Sequence, residues 1–303
     1  MSTLAVLYDI PGPKARRRNL ILTIIFLALL VAGLWWVYDK LDSKGQFAAV
    51  LWKPVLRGNT WTTYLLPGLA NTVKAALISV VIALPIGALL GVARLSEQRW
   101  LRWIASVIVE FFRAIPVLIL MVFAYQLWFT VVGSSSPLAS VVIGLVLYNG
   151  SVLAEVFRAG IRSLPRGQTE ASLAIGLSKS QMMSQVLLPQ ALTAMLPAVV
   201  SQLVVILKDT ALGGLLLMGY NELRRAGNTA GTNLRDQLQI YILIAIIFIA
   251  LNLLLTTAAS LLEKRLRRGK RGGRGGVPVT AAAAASVIGE VAGPSAAIDD
   301  TPR

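Results

Sequence analysis

Histidine and cysteine are both absent from this chain. Their absence removes thiolate and imidazole metal ligands, cysteine nucleophiles, disulfides and histidine general bases at one stroke. Acidic residues are scarce too, with 14 Asp and Glu against 29 Lys and Arg. No G-x-x-x-x-G-K-[ST] run occurs, so no phosphate-cradling loop is present and the chain is not expected to hydrolyse ATP. G-x-S-x-G is missing as well, which leaves a membrane-bound enzyme as a weak reading. No metal and no cofactor are expected.

Apolar residues make up 56% of the 303 positions, and the mean hydropathy is +0.70. Several apolar runs reach the ~20 residues that cross a bilayer as helix. Strands of a barrel would alternate over about ten residues, and no such pattern is seen. The expected fold class is therefore all-α: a polytopic membrane helical bundle of about six transmembrane helices. The net charge of +15 is read as basic loops against anionic lipid, in preference to nucleic-acid binding.

Six spans are expected, at 20–38, 64–94, 103–132, 138–161, 188–207 and 238–262. The first follows Lys14, Arg16, Arg17 and Arg18 and ends in Leu34-Trp35-Trp36, which reads as an interfacial anchor and not as a cleavage site. Arg94, Arg99 and Arg102 form a short basic loop, and 208–237 reads as a polar connection. Basic residues gather on alternate loops, which predicts a multi-pass membrane protein with both termini cytoplasmic. Three regions are expected: a basic segment, first helix and outer loop over 1–63; the main helical bundle over 64–266; and a disordered tail over 267–303, low in complexity and unable to bury a core.

The stretch 165–190, PRGQTEASLAIGLSKSQMMSQVLLPQ, is the one long polar-flanked interruption that also reads as helix. Gly167 gives a turn, Thr169 a cap, and Glu170 a carboxylate in the first turn. Ala171, Leu173, Ala174, Leu177, Met182 and Val186 supply an apolar stripe, Gly176 a bend, and Pro189 the next start. Helix–Gly–helix between two spans, on the cytoplasmic side, is a docking surface and not an active site.

This stretch resembles the EAA loop of ATP-binding-cassette importer permeases, through Glu170-Ala171-Ser172, Gly176 and Leu188-Pro189. Further matches are Asn71-Thr72-Val73, Arg94-Leu95-Ser96, Glu110-Phe111-Phe112-Arg113 with Pro116, Ala154-Glu155, Gly167-Gln168 and Lys208-Asp209-Thr210. Together they resemble the polar amino-acid uptake branch, and residues 147–155 are most similar to actinobacterial glutamate permeases. Ile115, Val152 and Ala211 depart from the usual Thr, Tyr and Ser. The resemblance implies a type I importer fold, and coupling to a separate ATP-binding subunit dimer through Gly167, Gln168, Glu170, Ala171, Gly176 and Pro189. It also implies a second permease subunit, identical or not, and an extracytoplasmic amino-acid-binding protein.

Four charged residues fall in or near spans and are candidates for the substrate path: Arg113, Glu155, Lys208 and Asp209. Buried ionisable groups normally face a partner or a polar cavity. Arg113 offers a fork for a substrate carboxylate or, the preferred reading, an i,i+3 pair with Glu110. Glu155 pairs with Arg158 or meets a substrate ammonium. The competing function is a proton- or sodium-coupled carrier using Arg113, Glu155 and Asp209 as a relay, although the paired broken helices of such carriers are not seen.

Overall fold

Helix is the sole regular structure among the described residues, as a chain of long apolar runs requires when its backbone groups must be satisfied within each segment. The computed structural model describes residues 12–217 and 219–271. The expected tail lies largely outside them, as do the first eleven residues.

Helix α1 (Pro13–Ser43) opens with proline in its first turn and buries no residue. The expected outer loop is partly helical, with α2 (Ala49–Leu56) and the single turn α3 (Gly58–Thr60). A π-helical turn, Trp61–Leu65, leads into α4 (Leu66–Ala93), which passes through Pro85 without breaking. Next come α5 (Arg99–Ala114) and α6 (Val117–Val132), then α7 (Pro137–Arg162). The 165–190 stretch folds as α8 (Arg166–Ala174), the single turn α9 (Lys179–Gln181) and a π-helical turn, Met182–Leu187. Helix α10 (Leu188–Leu216), α11 (Leu223–Leu234) and α12 (Gln237–Arg271) complete the described chain.

Two expectations need correction. The run 103–132 is not one straight span: α5 and α6 meet at Ile115–Pro116 with a bend of 102°. Pro116 has no N–H to continue the ladder, and it pushes Ile115 into extended backbone. The run 208–237 is not a polar loop either, because α10 continues as helix through Lys208 and Asp209 and α11 follows. Five helices, or six counting the bent pair once, are long and apolar enough to span a membrane.

Helix α7 is the centre, with Val141, Leu145, Leu153 and Ala154 fully buried. Its main partner is α4, and the two meet through small residues. Ala83, Gly87 and Gly91 recur every fourth position of α4, and both glycines lie against α7, at Gly150–Ala154 and at Ala154–Phe157. In a membrane such close approach supplies the dispersion that helix association depends on. A second apolar cluster, Val55, Leu65, Leu223, Ala230, Ile240 and Ile244, ties α11 and α12 to the start of α4.

A methyl group on Gly87 would lie 2.6 Å from Leu153 Cβ and 2.9 Å from the Gly150 carbonyl. Gly87→Ala is expected to destabilise the bundle by ~1–3 kcal/mol, because two backbones must part to admit it. Gly150→Ala makes only ordinary van der Waals contacts, with Ile86 Cγ2 at 3.5 Å and the Ala83 carbonyl at 3.8 Å, and is expected to be neutral or slightly stabilising through its gain in helix propensity. Thermal denaturation of the two purified variants checks the ranking.

Candidate functional site

The 165–190 stretch forms the expected helix–Gly–helix unit, although its start differs. Helix α8 begins at Arg166 behind Pro165, so Thr169 is not its cap and Glu170 falls in the second turn. Pro165 fixes the entry, and no side chain caps that end. Gly176 closes the helix at φ +80°, its N–H bonded to the Leu173 carbonyl while the Leu177 N–H reaches that of Ser172. That pair of bonds is a Schellman ending, and it needs a left-handed residue. Ser178 then caps the next turn in a reciprocal box with Gln181.

The apolar stripe does not pack inward as a whole. Ser172, Met182 and Leu187 are the buried positions, whereas Ala171, Leu173, Ala174 and Ile175 are exposed, Ile175 by 77%. Glu170 is exposed beside them and has no ion-pair partner among the described residues. Gln168 takes part in holding the unit to the bundle: its Oε1 accepts from Gln190 Nε2 at 3.0 Å, and its carbonyl accepts from Ser172 Oγ at 2.6 Å. Pro189 lies in the first turn of α10, where its carbonyl accepts from the Thr193 hydroxyl at 3.1 Å. Gly167 is in open space.

Beside this unit, Arg94 closes α4 and forks to two other helices. Its Nη1 donates to Glu155 on α7 at 2.8 Å, and its Nη2 to Glu110 on α5 at 2.9 Å. Glu155 is also held by Arg158, one turn on, through both Nε and Nη2. The loop joins the same end of the bundle through Lys179, which pairs with Glu97. Three helices, α4, α5 and α7, therefore meet in one ionic cluster, and the Lys179–Glu97 pair stands apart from it. The expected Glu110–Arg113 pair is absent, because the Arg94 fork occupies Glu110. Arg113 is exposed in the last turn of α5, beside the bend, with no ion pair among the described residues. The expected Glu155–Arg158 pair is present.

Lys208 is exposed and Asp209 half-buried on α10, and neither makes an ion pair among the described residues. Asn149 Oδ1 on α7 accepts from Gln202 Nε2 on α10 at 2.5 Å, crossing the helix interface. Arg113, Glu155, Lys208 and Asp209 are thus not gathered in one pocket: Glu155 belongs to the ionic cluster, and Lys208 and Asp209 sit just under two turns beyond Gln202 towards the α11 end.

The sequence reading assigned no role to Glu222, which is fully buried. Its carboxylate caps α11 by accepting from the N–H groups of Arg224 and Arg225. Burial pushes this carboxyl above its usual range, against those two donors and the nearby guanidiniums. Thr72 and Asn71 anchor the same turn to α4: Thr72 Oγ1 accepts from the Leu223 N–H, and Asn71 Nδ2 donates to the Asn221 carbonyl. The Asn-Glu-Leu run before two arginines was a cap signal, hidden by the polar look of its surroundings.

Residues 83–268 match the family described as binding-protein-dependent transport system inner membrane component. The glutamate transport system permease protein GluD of Corynebacterium glutamicum is 50% identical over 233 residues, covering 76% of this chain and 85% of that protein. The arginine transport system permease protein ArtQ of Bacillus subtilis is 30% identical over 205 residues, covering 67% and 93%. Among solved structures, an amino acid ABC transporter with histidines superposes with a TM-score of 0.62 at 27% identity, over 68% of this chain and 95% of that one. A bacterial alginate importer superposes at 0.60 with 14% identity, over 83% and 98%, which extends the likeness of fold alone. A helical bundle, a helix–Gly–helix unit between spans and this match over more than half the chain converge: the chain belongs to the binding-protein-dependent transport system inner membrane component family, as a multi-pass permease subunit whose ATPase is a separate chain.

Proposed function

We propose that this chain forms one half of the translocation path of an amino-acid importer whose substrate is glutamate. The observation that carries the substrate is the 50% identity to a permease named for glutamate transport. An exposed, charged and partly apolar loop unit at 165–190 supports docking of the ATP-binding subunit dimer there, through Gly167, Gln168, Glu170, Ala171, Gly176 and Pro189. The charge asymmetry of the loops favours cytoplasmic termini and puts that unit in the cytoplasm. A second permease, identical or not, completes the path, and an extracytoplasmic binding protein delivers the substrate. Movement of the docked unit would reach the bundle through Lys179–Glu97 and the Arg94 cluster. Radiolabelled glutamate uptake in a strain lacking the chain, with competing amino acids, tests the substrate. Rescue that arginine competes away and aspartate does not would overturn it.

Within the chain, Arg113 and Lys208 are the exposed cations assigned to the path. Moving a dicarboxylate through a low-dielectric bundle without a counter-charge is costly. Arg113→Met and Lys208→Met are each expected to lower uptake ~10-fold or more, by loss of a charge-assisted contact, with ATPase copurification unchanged. Arg113→Lys rescues poorly if the guanidinium fork binds the carboxylate. Full uptake by both Met variants would move recognition to the partner permease or the binding protein.

A further inference from the structure

Helix α5 has three distinct faces. Ala105 and Val109 are buried against the bundle. Trp100, Trp103, Ile104, Val107 and Phe111 are exposed by 42–68% and occupy a separate face. Arg99, Arg102 and Ser106 form a polar edge beside it, at i, i+3 and i+7. The helix turns by 102° from α6. The two therefore form a broken span or a re-entrant turn, in which α5 runs at about a right angle to α6. A broad apolar face with tryptophans, bordered by arginines, is the pattern of a helix lying at the lipid interface.

The polar edge is also open, and its one carboxylate, Glu110, a turn beyond Ser106, is held by Arg94. Arg99, Trp100, Arg102, Trp103 and Ser106 line a shallow, open groove along the outer side of this one helix. Arg99 makes no ion pair among the described residues, and Arg102 donates one bond, at 3.1 Å, to the Ser96 carbonyl. No acidic residue lies in the first turn, and the nearest carboxylate in sequence, Glu97, is taken by Lys179. Two guanidiniums with free donors, a hydroxyl and two flanking indoles match the chemistry of a phosphodiester whose acyl chains lie along the apolar face.

We propose that the Arg99–Ser106 groove is a binding site for the headgroup of an anionic phospholipid. Charge complementarity and the adjoining lipid-type face favour a lipid over a protein occupant. The site adjoins the 165–190 unit through Glu97–Lys179, so a seated lipid braces the base of that unit.

The test uses the assembled transporter in phosphatidylcholine membranes doped with brominated phosphatidylglycerol. The difference in tryptophan quenching between the native chain and Trp100→Phe/Trp103→Phe reports these two indoles. Quenching is expected at low mole fractions of the anionic lipid. Arg99→Gln/Arg102→Gln should raise the midpoint roughly 25-fold, about fivefold for each arginine near a charged surface. Arg99→Lys/Arg102→Lys should keep most of the preference. Arg99→Gln alone breaks no ion pair among the described residues and carries the test, at about fivefold, if the double variant does not assemble. Equal quenching by brominated phosphatidylcholine would reduce the site to unselective lipid contact and overturn the proposal. Absence of quenching by either lipid would overturn it differently, by showing that a protein partner covers the face.

Discussion

Gly176→Val cuts uptake by ~5–30-fold while the protein remains in the membrane at its normal level. The size follows from backbone strain: a β-branched residue in the left-handed region costs about 1–2 kcal/mol, which is a factor of that order in the occupancy of the native turn. Space is not the obstacle, since a Cβ at Gly176 meets nothing within 4 Å. The effect therefore isolates φ, and Gly176→Asn is expected to retain most of the activity because asparagine tolerates that conformation. The Val variant loses the two bonds that end α8, and the direction of Lys179 relative to Glu170 changes with them. ATP hydrolysis by the copurified ATPase should continue without transport. Two results would remove the unit from the coupling path: normal uptake by Gly176→Val, or equal damage from the Val and Asn variants. Glu170→Lys gives an independent check, since it reverses an exposed charge that has no ion-pair partner among the described residues.

What was legible in the sequence was local. The helix–Gly–helix unit could be read because Gly176 and Pro189 act on their own few residues, while the equally local signals of Pro165 and Ser178 were passed over in favour of a cap at Thr169. The Glu155–Arg158 pair could be read because i,i+3 positions share a helix face. The spans followed from hydropathy, which also hid the break at Ile115–Pro116: apolar residues on both sides of a bend score as one run. The arginines and tryptophans of 99–113 carried the missing signal, since they recur at helical spacing before the proline. Similarly, Lys208-Asp209 looked like a span end because charge was weighed above helix continuity.

What was not legible was non-local. Arg94 lies 16 residues from Glu110 and 61 from Glu155. Apart from the resemblance carried by Arg94-Leu95-Ser96, nothing in its neighbourhood distinguishes it from Arg99 or Arg102, yet it is 9% exposed. Glu222 and Thr72 lie about 150 residues apart and meet at one turn. The family match supplies what such distances hide: a fold in which these segments are neighbours.

Arg94→Met should be among the most damaging single changes at this end of the bundle, and its two bonds are unequal. Glu155 is 26% exposed and Glu110 68%. Breaking a largely buried pair costs up to about 3 kcal/mol, because a carboxylate is left short of a partner; an exposed pair contributes only ~0–1 kcal/mol. Arg158 still holds Glu155 in the variant, which keeps the loss below the full figure. The cluster therefore predicts an order of couplings as well as a loss. In double-mutant cycles on thermal stability of the purified complex, Arg94→Met with Glu155→Gln should show a coupling of ~1–2 kcal/mol. With Glu110→Gln the coupling should fall below ~1 kcal/mol. Arg94→Lys should lie between, since one ammonium cannot satisfy both carboxylates as a planar fork does. If α4 is tethered chiefly to α5, the Glu110 coupling will be the larger, and α7 is then not the helix through which the loop end is held.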